Sequence, residues 1–320
     1  ARRSYIRSHF GSRDRPGVWA RAVGATRSTM SSVFDFFFDL VPLKLKWDGY
    51  SQEELDRRDQ MRKLDIAVAF LFAAWYCLQG ICICNPNAFS SFPIEGPGIV
   101  TIVMQVVLAA VAVYLLKVVH IFAFPAPTAD SDQFKAQASM GKWIFLTRHC
   151  VTLQTWHQVF SIMGLFSGRL AVITHGMTPW IGTLGWFVTI QYFVLVSPSA
   201  AFKADCETWK KKGIQFKEVG ELLHFPPLAI ALLDVLLAKQ RLLLISAVAL
   251  DRTVLLILFY VVLYLGIIIA NYDLTGYWPY GFLKDFGTSF SKWIPFILIQ
   301  IVVLMLFFFC NTLIYMAKTA

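Results

Sequence analysis

Apolar residues in this chain come in long unbroken runs, each about as long as a bilayer crossing. Seven such runs cover residues 64–84, 98–124, 142–164, 179–196, 220–238, 253–270 and 293–316. A helix needs roughly 20 apolar residues to cross the hydrocarbon layer. Continuous runs point to helices, because a membrane β-barrel would alternate apolar and polar positions. The pattern predicts an all-α polytopic transmembrane bundle of about seven spans. Turn-rich stretches, 85–98 and 125–132, close the first two runs. Residues 242–250 extend the fifth run after Lys239 and Arg241, so 215–250 reads equally as one span, a re-entrant segment or a broken helix.

The third run differs from the others. It carries Thr147, Arg148, His149, Gln154 and His157 within a length that should lie in lipid. Every polar group there must find a partner or a cavity. At about 100° per residue, Thr147, Cys150, Gln154 and His157 share one stripe, and His149, Leu153 and Trp156 share another. The first stripe is expected to face inward. Inter-helix hydrogen bonds and a reactive site both explain it.

Charge then orients the chain. Hydrophobic residues make up 57% and charged residues 15%, where a soluble domain carries about a quarter charged. Lysine and arginine concentrate in residues 1–33 and in the 198–219 loop, at Lys203, Lys210, Lys211, Lys212 and Lys217. The opposite loops hold little beyond Arg169, Lys239 and Arg241. The positive-inside rule therefore puts the N-terminus in the matrix or cytoplasm. The net charge of +9 reads as topological and lipid-facing, and no nucleic-acid motif accompanies it.

Residues 1–33 hold seven arginines, many serines and threonines, and one acid, Asp14, with no initiator Met. That is the composition of a mitochondrial transit peptide or its trimmed remainder; a basic anchor on anionic lipid is the alternative. Residues 34–45 are an aromatic patch suited to the interface. Ser51 followed by Glu54 predicts a capped helix start. The chain thus divides into a basic extension, 1–62, and a transmembrane domain, 63–320.

Other signals are weaker. His120, His149 and His157 lack ligand spacing, so no metal or cofactor is expected. Asp251 and Arg252 read as a local ion pair, and His175 as a solvated loop residue. Trp180, Trp186, Trp278 and Trp293 read as interfacial anchors. The six cysteines suggest neither a metal site nor a disulfide framework.

Three blocks, in order, carry a resemblance. They are Gly141 to Thr147 (GKWIFLT), His224 followed by Leu228 and Asp234, and Leu274 to Leu283 (LTGYWPYGFL) directly after a span. Over roughly 98–317 the chain resembles the androgen-induced-gene family of membrane proteins, which includes hydrolases of fatty acid esters of hydroxy fatty acids. The resemblance implies an intramembrane hydrolase with Thr147 as nucleophile and His224 as its base, since a threonine hydroxyl needs a neighbouring base. Gln154, His157, Trp278 and Tyr280 are the expected lipid contacts, with Gln154, Trp278 or Tyr280 as oxyanion donors. The chain departs from the family in an N-terminal extension of about a hundred residues with an extra span, and in Pro226-Pro227 close after His224, where a helix must break or begin.

Two functions follow as expectations. The first is an accessory subunit of a large mitochondrial inner-membrane assembly, a respiratory complex or the ATP synthase. It would bind neighbouring subunits through residues 1–62, keep its N-terminus in the matrix and hold membrane lipid in the old pocket. The alternative function is an active threonine hydrolase of those lipid esters; the alternative location is an endomembrane with a cytoplasmic N-terminus.

Overall fold

The computed structural model describes residues 52–89, 97–121, 132–211 and 215–320. The arginine-rich segment, the aromatic patch and the Ser51 cap lie outside these residues. Every regular element described is helical. In order they are α1 (Gln52–Ile83), α2 (Ile99–Ile121), α3 (Asp132–Ala136), α4 (Leu146–Met163), α5 (Gly168–Gln191), α6 (Ala200–Lys211), α7 (Phe216–His224), α8 (Pro226–Leu233), α9 (Arg241–Ala247), α10 (Leu250–Thr275) and α11 (Phe290–Thr319). Five-residue π turns, Tyr192–Val196 and Asp234–Ala238, prolong α5 and α8.

Six helical stretches are long and apolar enough to cross a membrane: Lys63–Ile83, Ile99–Val119, Gly168–Val196, Phe216–Ala238, Leu250–Thr275 and Phe290–Thr319. The third sequence run, now α4, is not among them, because polar groups replace too much of its apolar surface. Those groups are enclosed: Arg148, His149, Thr152, Gln154, Thr155, His157, Gln158 and Ser161 are all buried. α4 packs against α1, α2 and α5, and α5 also meets α8, α10 and α11. The outer helices turn large apolar side chains outward, with Leu255, Val262 and Val302 each about two-thirds exposed. In lipid such faces carry no penalty.

The fourth run starts earlier than its sequence suggests. Residues 168–178 look polar and Pro179 looks like a helix start, yet α5 passes through Pro179. Three hydroxyls on α5 fold back on its own carbonyls, Thr174 to Ala171, Thr178 to Thr174 and Thr183 to Pro179. Asn311 of α11 also donates to the Pro179 carbonyl, at 3.3 Å.

Four expectations are corrected as a result. His175 is a buried helix residue, not a solvated one; its Nδ1 donates to the Ala171 carbonyl and its Nε2 accepts from the Gln240 N–H. Trp180 sits in the core, 1% exposed, with its ring against Tyr260. Trp278 and Trp293 are buried against each other in an aromatic cluster at the α10–α11 turn. Arg252 gives its Nη1 to the Cys84 carbonyl, leaving its sequence neighbour Asp251 exposed.

The 216–238 stretch is a helix broken at Phe225. Two prolines open α8, their missing N–H groups costing least in a first turn. Extended backbone at Lys239 then turns the chain into the short α9.

Candidate active site

Two turns bring the first and third sequence blocks together. Gly141 adopts φ +57° and opens the 3-10 turn Gly141–Ile144, which leads directly into α4. Gly276, at φ +74°, ends α10 and donates its N–H to the Tyr272 carbonyl, so the loop folds back over the bundle. That loop carries Tyr280, whose hydroxyl accepts the Leu146 N–H at 3.1 Å. Tyr264 donates to the Ile144 carbonyl and lies 3.1 Å from the Tyr280 hydroxyl. The start of α4 is thereby held by two tyrosines.

Thr147 is the second residue of α4. Its Oγ1 lies 2.9 Å from Nε2 of His224, the last residue of α7. The other ring nitrogen, Nδ1, is 2.6 Å from the Gly220 carbonyl one turn back. A carbonyl only accepts, so Nδ1 carries the proton and Nε2 keeps a lone pair for the threonine hydroxyl. The proline break contributes. Past the prolines the Leu228 N–H, which an unbroken helix would give to the His224 carbonyl, goes to Phe225, and the His224 carbonyl takes the Thr189 hydroxyl at 2.5 Å.

Thr147 and His224 border a cavity of about 270 Å³. Aromatic and aliphatic side chains form most of its wall, among them Leu184, Phe187, Phe202, Phe216, Ile257 and Leu304. Tyr264 and Tyr280 reach the same space, as do Lys142 and Arg148. Lys142 donates to the Val119 carbonyl. Arg148 points towards α1, where its Nη2 meets the buried Asp65 carboxylate at 2.7 Å, and its guanidinium lies over the Trp143 ring.

Of the six expected site residues, three meet at this cavity: Thr147, His224 and Tyr280. The other three have different partners. Gln154 donates to the Pro227 carbonyl at 2.7 Å and braces the start of α8. Trp278 stacks on Tyr272, with ring centres 4.1 Å apart. His157 belongs to a separate buried group. Its Nε2 lies 2.8 Å from the Asp234 carboxylate and its Nδ1 2.6 Å from the Tyr76 hydroxyl. Lys239 stands 3.5 Å from the same carboxylate and donates to the Ser161 hydroxyl. The reason is distance along the helix. Ten residues separate Thr147 from His157, roughly 15 Å at 1.5 Å per residue, so one stripe serves several sites.

Sequence reasoning passed over Tyr192, Tyr264 and the Asp65 partner of Arg148. Nothing in local spacing marks them, because each acts across helices far apart in the chain. Among the described residues no three His, Cys, Asp or Glu side chains cluster in a way that could hold a metal ion. Comparison with known proteins finds no matching family model, no matching curated protein and no matching solved structure.

Proposed function

We propose that this protein is an intramembrane threonine hydrolase acting on a long-chain acyl ester. The observation that carries the reading is the 2.9 Å contact between the Thr147 hydroxyl and His224 Nε2 at the edge of an apolar cavity. A hydroxyl facing the lone pair of a neutral imidazole is the arrangement that turns threonine into a nucleophile.

The chemistry runs in two halves. In the first, Thr147 Oγ1 gives its proton to His224 Nε2 and attacks the ester carbonyl. The tetrahedral oxyanion collapses, the alkoxide leaves with the proton from His224, and an acyl-threonine remains. In the second, His224 takes a proton from water, hydroxide attacks the acyl-threonine, and the Thr147 oxygen recovers its proton as the fatty acid departs. The oxyanion needs donors, and the first turn of a helix supplies N–H groups without intrahelical partners. Leu146 gives its N–H to Tyr280 and Arg148 gives its own to the Phe145 carbonyl. The Thr147 N–H is the first-turn donor assigned to the oxyanion.

The apolar wall suits an acyl chain, and fatty acid esters of hydroxy fatty acids, named by the family resemblance, are the substrate class proposed. In this reading α4 is the seventh crossing, screened from lipid by the six apolar stretches. Purified protein is assayed in detergent with a 4-methylumbelliferyl acyl ester. Thr147→Ala and His224→Ala are each expected to lower kcat about a thousandfold, the double variant no further, since the two act as a unit. Thr147→Ser, which keeps the hydroxyl, retains measurable turnover. Equal turnover by wild type and Thr147→Ala removes the proposal.

A second reading rests on the arginine-rich, transit-like residues 1–33. In it the chain is an accessory subunit of a mitochondrial inner-membrane assembly and its cavity holds lipid. Native gels after mild detergent decide between them: co-migration with a large complex supports the subunit, migration as a lone chain opposes it.

A further inference from the structure

We infer that Tyr192 is the positioning residue for His224, holding the imidazole face-on so that Nε2 stays aimed at the Thr147 hydroxyl. This rests on the hydrolase reading for its catalytic consequence, although the contact itself does not.

The Tyr192 and His224 rings lie nearly parallel, 11° apart, with centres separated by 3.8 Å. The stack is enforced from several directions. Tyr192 is 1% exposed. Phe202 and Phe193 meet its ring edge-on, at 5.7 and 5.1 Å. Gly220 gives the ring its room, because a Cβ there would collide with the Tyr192 hydroxyl. The carbonyl of the same glycine takes the His224 Nδ1 proton. One residue therefore fixes the tautomer and, by lacking a side chain, admits the stacking partner. Three residues before Tyr192 on α5, Thr189 grips the His224 carbonyl. Thr189 and Tyr192 share a helix face and hold the backbone and the ring of one histidine.

Among the described residues the Tyr192 hydroxyl has no hydrogen-bond partner, although buried. A buried polar group usually finds one, so the position is explained by the ring rather than the hydroxyl. An aromatic face suits a histidine that must take up a proton, because a ring quadrupole attracts a cation placed over it. The π turn that starts at Tyr192 places this side chain, a known use of such turns.

The test compares Tyr192→Phe and Tyr192→Leu in the purified full-length chain. Two readouts are used: hydrolysis of the umbelliferyl ester, and modification of His224 by diethyl pyrocarbonate, followed by mass spectrometry. Tyr192→Phe keeps the stack and should match wild type in both. Tyr192→Leu should lose about tenfold in kcat with KM little changed, and its His224 should react several-fold faster. Should Tyr192→Leu fail to fold, Gly220→Ala, which displaces the ring without removing it, supplies the same comparison. Wild-type behaviour of the leucine variant in both readouts overturns the inference, as does a rise in KM alone, which would make Tyr192 only cavity wall. An inactive wild type sinks the hydrolase reading and leaves the modification rates to decide whether Tyr192 holds the ring.

Discussion

Histidine shows how much a single residue's role depends on its second nitrogen. His149, His157, His175 and His224 each donate from one ring nitrogen to a fixed oxygen: the Trp143 carbonyl, the Asp234 carboxylate, the Ala171 carbonyl and the Gly220 carbonyl. In the first three the remaining nitrogen accepts from the buried Tyr260 and Tyr76 hydroxyls and from the N–H of the half-buried Gln240. Of these four, only His224 faces the hydroxyl of a threonine at the cavity; Tyr260, the partner of His149, lines the same cavity with a phenol that already serves the His149 ring. The same accounting explains Arg148, whose charge is matched by Asp65 away from water. Removing one partner of a buried pair strands the other, so Asp65→Asn should destabilise the fold by about 3–5 kcal/mol. The double variant Asp65→Leu with Arg148→Met should recover most of that loss, as thermal unfolding in detergent would show. Thr147 and His224 were legible as a pair through their sequence blocks. Tyr192, 32 positions before His224, was not, because stacking partners leave no trace in spacing.

At the level of elements, packing rests on small residues where helices approach closely. Gly182 of α5 lies directly against Asn311 of α11 and has no room for a Cβ. Gly182→Ala should therefore cost about 1–3 kcal/mol, visible as a lower Tm, with no change in the Thr147–His224 contact. The amphipathic α6 behaves differently because it lies outside the spans. Burial pushes the Asp205 carboxyl up to about 6. Its ordinary value is about 3.9, so the folded state binds the extra proton between those limits. The stability α6 draws from this group is full at low pH and is lost as pH rises through about 6. Asp205→Asn should then be the more stable protein at pH 7.5 and no different near pH 3.5. The gain should be under about 1 kcal/mol, since the group is partly solvated, and hydrogen exchange of α6 amides would record it.

Across the whole molecule, the site sits at one end. Thr147, the end of α5, α6, α7 and the Tyr280 loop all contribute to the cavity, and Lys203, Lys210 and Lys211 lie on α6 and Lys217 on α7. Single cysteines placed at positions 207 and 287 should accordingly be labelled by a membrane-impermeant maleimide from the same side, and one at 166 from the other. Labelling of 207 and 287 from opposite sides would break the proposed topology. Apolar length and the +9 charge are properties of the whole chain, which is why this scale was the easiest to read.

The linear order of residues was enough to establish an all-helical, membrane-length architecture. Hydrocarbon leaves backbone groups no partner but each other, and long apolar runs satisfy them only as helices. The same order showed that α4 must hide polar groups, but not where each would go. Periodicity assigns a direction around the helix axis, whereas position along it selects the neighbour. Thr147, Gln154 and His157 point the same way and meet three different partners: His224, the Pro227 carbonyl and Asp234. Those assignments came from how α7 and α8 break at the prolines and lie against α4, contacts between segments more than 70 residues apart.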